Sequence, residues 1–125
     1  MFGFLGRFGR ARELRQLDDA LRAVDLHPAM VPDAVELAAV RLLQAEKSSP
    51  QPHDYAAAAE LIGYCMIGAD GFAGANDEAL ADAVEARIET AIDSGDSFDA
   101  KLILLLLHAA VVQPSVIARF GLEAS

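Results

Sequence analysis

The sequence predicts an all-α fold, a compact bundle of five to six helices that forms one domain over residues 1–125. Alanine and leucine dominate the chain, with 25 and 16 copies, and both residue types favour helices. Aromatic residues, which favour strands, make up only 6% of the chain, and it has no Trp. A chain of this length buries roughly two-thirds of its unfolded surface, which is enough for one core.

The first half of the chain carries three predicted helices. In the first, over about residues 8–24, apolar residues recur at spacings of three and four and form one face. The second begins at Pro32, which suits a first helical turn, and ends before the loop 47–52, KSSPQP. The third covers about residues 53–67. Gly63 within it disfavours a helix, so it predicts close packing of a neighbouring helix.

The second half carries the other helices. The glycine-rich stretch 68–75 is predicted to be a connection, and Asn76 is predicted to cap a fourth helix that ends at Gly95. A central helix near 98–112 is apolar on all sides, as expected for a helix that others surround. A short last helix covers residues 114–120.

The charge distribution argues against some classes of partner, and the cysteine content and the short apolar runs favour a cytoplasmic protein. The net charge is −9, and the basic residues are concentrated near the start of the chain. An acidic body repels phosphate backbones, so we expect no nucleic-acid partner. A single Cys65 permits no internal disulfide, which suits a reducing compartment. The longest apolar run, 102–112, is too short to span a membrane, which needs about 20 residues.

An acidic stripe on the fourth helix is the most informative pattern. Five acidic residues recur at spacings of three and four and share one face. Like charges at this spacing destabilise a helix by about 0.2–0.5 kcal/mol per pair. The stripe is either a solvated face or a surface that meets a basic partner, which could be the arginine segment of this chain or of a second copy. The candidates are Glu78, Asp82, Glu85, Glu89 and Asp93.

The start of the chain combines aromatic and basic residues. Residues 1–7 have no explanation as part of the core, and we interpret them as a flexible apolar and basic arm. An alternative is attachment of residues 1–17 to a membrane surface, because arginines beside aromatic residues are typical of interfacial helices. The interaction candidates in this segment are Phe2, Phe4, Arg7, Arg10, Arg12 and Arg15.

The motif "ADGF…NDEAL" follows one predicted helix and opens another. It resembles the acidic "DG" turn between helices of tellurite-resistance TerB-like domains. Asp70 and Gly71 match that turn, whereas Asp77 and Glu78 match only as early helix acids. The resemblance covers about 15 of the 125 residues and lacks a second acidic turn. It implies an acidic helical domain with a weak divalent-cation site at Asp70, Asn76, Asp77 and Glu78.

No local motif assembles a catalytic set or a cofactor site. The three histidines are scattered, without the clustering that metal ligands need. His108 lies in the apolar run, where we expect a buried, neutral, hydrogen-bonded side chain. One alternative is an enzyme or small-ligand binder with a pocket near His108, Tyr64 and Cys65. The leading hypothesis is a non-catalytic protein-interaction or adaptor domain without a cofactor, which binds a protein partner or associates with itself.

Overall fold

The computed structural model describes residues 11–123, and these residues form seven α-helices and no strand. A short 3-10 turn, Pro28–Met30, connects the first two. The all-α fold is therefore confirmed, and the described helices number one more than the upper end of the prediction. In chain order they are α1 (Arg12–Ala23), α2 (Asp33–Glu46), α3 (Pro52–Ile67), α4 (Ala69–Ala75), α5 (Glu78–Ser94), α6 (Phe98–His108) and α7 (Pro114–Phe120).

The additional helix is α4, and the prediction of a loop at 68–75 was wrong. Gly68 adopts a φ of +95°, which ends α3 and redirects the chain. Phe72 then inserts into the core with no exposed surface and packs edge-on against Tyr64. Burying a phenylalanine stabilises by roughly 1.5–3 kcal/mol. This gain offsets the low helix propensity of the glycines in α4.

The cap of α5 also differs from the prediction. Asp77, rather than Asn76, accepts a hydrogen bond from the backbone N–H of Leu80 at 2.6 Å. The side-chain amide of Asn76 instead donates to the carbonyl oxygens of Val24 and Phe72. Asn76 therefore connects the end of α4 to the end of α1, a long-range contact that no local pattern indicates.

Helix α3 forms the centre of the bundle. It packs against α1, α4, α5 and α6, while α2 packs against α1 and α6. Gly63 permits the close packing predicted for it, because a Cβ atom there would lie 3.3 Å from Val24 Cγ2. The predicted central helix near 98–112 corresponds to α6, which is shorter. Leu102 and Leu106 of α6 are fully buried.

The outer side of α6 is not covered by other helices. Leu104 is 52% exposed, although the sequence predicted an apolar helix surrounded on all sides. Six consecutive apolar residues, 102–107, point in every direction around a helix of 3.6 residues per turn. Since α6 packs mainly against α2, α3 and α5, Leu104 on its remaining side faces solvent.

Candidate functional site

The acidic stripe lies on the surface of α5. Four of its five members are exposed, and Glu85 is partly buried. The hydroxyl of Tyr64 donates to Glu85 Oε2 at 2.6 Å, and Arg119 of α7 donates to Glu85 Oε1 at 3.2 Å. Burial, together with the acceptor carboxylate of Glu85, holds the pKa of Tyr64 well above its ordinary value. Glu85 therefore connects α3, α5 and α7 within the fold.

The apolar residues of α5 turn gradually out of the core. Positions four residues apart on a helix rotate by about 40°, because a turn takes 3.6 residues. From Leu80 to Ile92 the row therefore turns by roughly 120°. Val84 and Ile88 are fully buried, whereas Ile92 is 45% exposed. Ile92, the last residue of this row, therefore lies at the surface of the bundle.

An apolar groove lies between the end of α5 and the outer side of α6. Its volume is about 260 Å³, below the roughly 300–1,000 Å³ of typical small-molecule pockets. Two of the exposed large apolar side chains, Ile92 and Leu104, lie in it. Such a groove suits a few apolar side chains of a peptide segment better than a whole small molecule. The lining residues are Ala91, Ile92, Gly95, Ala100, Ile103, Leu104, Leu107 and Leu122.

The charged residues and the histidine nearest to the groove along α5 and α6 are exposed but do not line it. On α5, Glu89 and Asp93 are exposed and lie three residues before and one residue after Ile92. On α6, Lys101 and His108 are exposed and lie three residues before and four after Leu104. The prediction that His108 is a buried core residue was wrong. His108 is the last residue of α6, and its side chain is exposed at the end of that helix.

Arg87 has a structural role that the sequence did not reveal. Its guanidinium makes a bidentate pair with Asp99 of α6, at 3.1 and 2.9 Å. It also donates to Glu60 Oε1 and to the carbonyl oxygen of Ala57, both in α3. Arg87 therefore holds three helices together beneath the acidic stripe. Its position as the single basic residue of α5 was the only signal in the sequence.

The residues of the predicted ligand pocket do not form an open site. Tyr64 and Cys65 have no exposed surface, and His108 is exposed at the end of α6. Burial raises the pKa of the Cys65 thiol to about 12, so little reactive thiolate forms near neutral pH. Cys65 is therefore a free, buried cysteine.

The residues of the predicted cation site are divided among other contacts. Asp77 caps α5 and Asn76 donates to two backbone carbonyls. Asp70 and Glu78 line a shallow depression beside Arg119. Within residues 11–123, no three acidic, histidine or cysteine side chains are grouped in a way that could hold a metal ion. The geometry therefore offers no support for the cation site.

Only part of the arginine segment can be placed. Phe2, Phe4, Arg7 and Arg10 lie outside the described residues. Arg12 borders a polar depression of about 430 Å³ between the start of α1, the loop 48–51 and Tyr55. Leu17 is 1% exposed and packs into the core. The apolar face of α1 is thus already occupied at that position.

Among residues 11–123, no helix combines the length and apolar character needed to cross a membrane. Comparisons of the chain with protein-family models, with curated proteins and with solved structures give no match. The likeness to TerB-like domains thus rests on the "ADGF…NDEAL" residues alone.

Proposed function

We propose that this chain is a non-catalytic protein-interaction domain whose binding site is the groove between α5 and α6. The observation that carries the proposal is the clustering of Ile92 and Leu104, 45% and 52% exposed, in one apolar depression. Clustered exposed apolar residues with a polar rim typically mark binding surfaces. The lining of the groove is apolar, so it takes the apolar side chains of a partner segment.

The chemistry of the rest of the surface supports a binding role over catalysis. The thiol of Cys65 is buried with a raised pKa. The half-buried carboxylates of Glu85 and Asp99 are held by arginines within the fold. These groups stabilise contacts between helices and do not line the groove.

A peptide-selection experiment tests this function. The full-length chain is immobilised at low density and challenged with a displayed library of random peptides. We expect the selected peptides to be rich in large apolar residues. Their affinities, measured by fluorescence anisotropy, should fall at least about tenfold for Ile92→Asp and Leu104→Asp, because each change places a charge in the apolar floor.

Leu37→Asp is the matched control, because Leu37 is 39% exposed on α2 and lies outside the groove. Its peptide affinities should equal those of the unsubstituted chain. Selected peptides that bind Leu104→Asp as tightly as the unsubstituted chain would show that the groove is not the binding site. A library that yields no binders would contradict the proposed function altogether.

A further inference from the structure

We propose that the polar pocket between α1 and the loop that joins α2 to α3 binds a free α-amino acid. The pocket has a volume of about 430 Å³, within the range of typical small-molecule sites. Its lining comes from the start of α1, the end of α2, the loop 48–51 and the start of α3. It shares no lining residue with the groove between α5 and α6, so the two sites are separate.

The hydroxyl of Tyr55 is an unused hydrogen-bonding group of this pocket. Tyr55 is only 2% exposed and lines the pocket, yet its hydroxyl has no hydrogen-bond partner among residues 11–123. Burial raises the pKa of Tyr55, so the phenol stays protonated near neutral pH and can donate a hydrogen bond. Polar groups of buried residues normally have a partner. A polar ligand in the pocket would supply it.

Two opposite charges lie beside this phenol at the start of α1. Glu13 and Arg12 both line the pocket, and after burial their charges have the largest effects on the pKa of Tyr55, in opposite directions. Within residues 11–123 they form no ion pair with each other or with another side chain. A guanidinium binds a carboxylate with two parallel hydrogen bonds, and a carboxylate accepts from an ammonium group. An α-amino acid carries both partners on one carbon atom, so one small molecule can pair with Arg12 and Glu13 together.

The rest of the lining is rich in uncharged polar groups. Gln16, Gln44, Ser48 and Ser49 all line the pocket. Among the described residues, none of these four side chains has a hydrogen-bond partner within the protein. Amides and hydroxyls both donate and accept hydrogen bonds. The side chain of the bound amino acid should therefore be polar and uncharged, as in serine, threonine, asparagine or glutamine.

Other small ligands match this lining less well. A simple anion or a simple cation would meet one attractive and one repulsive charge, because Arg12 and Glu13 line the same pocket. A sugar ring would find no aromatic face for stacking, since Tyr55, the one aromatic residue in the described lining, is buried. An apolar molecule would leave the amides and hydroxyls of the lining without partners.

Isothermal titration calorimetry of the full-length chain with the common free amino acids tests the proposal. We expect binding of one or more of serine, threonine, asparagine and glutamine. The N-acetyl and carboxamide derivatives of that amino acid each lack one of its two charges, so they should bind at least about tenfold more weakly. Arg12→Gln and Glu13→Gln should each weaken binding by at least about tenfold, and Tyr55→Phe, which removes only the hydroxyl, by at least about threefold.

Two control variants change other surfaces of the protein. Arg41→Gln removes an exposed positive charge of α2 that does not line the pocket, and Leu104→Asp alters the groove between α5 and α6. Both should bind the amino acid as the unsubstituted chain does. Circular dichroism verifies that each variant is folded. If Tyr55→Phe is not, Arg12→Gln and Glu13→Gln decide, because neither side chain is buried.

Three results would overturn the proposal. They are no binding of any free amino acid, a derivative that binds as tightly as its parent amino acid, and an unchanged affinity of Arg12→Gln or Glu13→Gln. None of these results bears on peptide binding at the groove. Conversely, a failure of the groove to bind peptides would leave amino-acid binding at this pocket intact.

Discussion

The two glycines Gly63 and Gly74 should respond in opposite directions to the same substitution. Both lie within α-helices, α3 and α4, where glycine is less favourable than alanine by about 1 kcal/mol. A Cβ atom at Gly74 would meet no atom within 4 Å. Gly74→Ala should therefore raise the free energy of unfolding by about 0.5–1 kcal/mol.

At Gly63, steric crowding exceeds the gain in helix propensity. A Cβ atom would lie 3.2 Å from Phe72 Cε1 and 3.3 Å from Val24 Cγ2. Phe72 has no exposed surface, and its ring packs against that of Tyr64 with centroids 5.8 Å apart, so it has little room to move away. Overpacking of a core costs about 1–3 kcal/mol. After the gain in propensity, Gly63→Ala should lower the free energy of unfolding by about 1 kcal/mol.

Urea unfolding followed by circular dichroism measures both effects. The midpoints of the two variants should shift in opposite directions with unchanged slopes, which indicates a change of stability alone. The free energies of unfolding of the two variants should differ by about 2 kcal/mol, the sum of the two opposite effects. A Gly63→Ala variant as stable as Gly74→Ala would refute the reasoning, because it would mean that α1 and α4 do not press on α3 at this point.

Three other changes test separate parts of the structure. Ala110 has a φ of +59° after the end of α6, so Ala110→Gly should raise the thermal midpoint by an amount equivalent to about 1 kcal/mol, and a lowered midpoint would contradict this. Burial raises the pKa of Cys65 from 9.0 to about 12; its contribution to stability is therefore complete below pH 9 and is lost as the pH rises toward 12. Between pH 8 and pH 10.5, the free energy of unfolding in urea should fall less for Cys65→Ala than for the unsubstituted chain. Equal falls in the two proteins would exclude the thiol as the cause. Arg87→Lys keeps the charge but loses the bidentate pair with Asp99, so the free energy of unfolding should fall by about 1–2 kcal/mol in urea, and an unchanged midpoint would show that the pair contributes little.

Local sequence patterns can indicate a helix end where that end depends only on the residues next to it in the chain. Gly95 and Gly121 adopt positive φ values of +76° and +64° at the ends of α5 and α7, and Ser97 caps α6 through a 3.1 Å hydrogen bond. These features depend on a few adjacent residues, and for that reason the helix end at Gly95 could be predicted from the sequence. The same is true of the all-α class, which follows from the abundance of Ala and Leu.

The apolar groove could not be predicted, because it depends on which helices are neighbours. The sequence by itself determined the acidic stripe of α5 and the apolar character of α6, since both are periodic along the chain. Only the packing of α5 against α6 decided that Ile92 and Leu104 lie exposed in one groove. Packing likewise placed His108 at the surface and Phe72 in the core. The physical reason is that burial is a property of the assembled bundle, whereas a helical pattern describes only the directions in which side chains point.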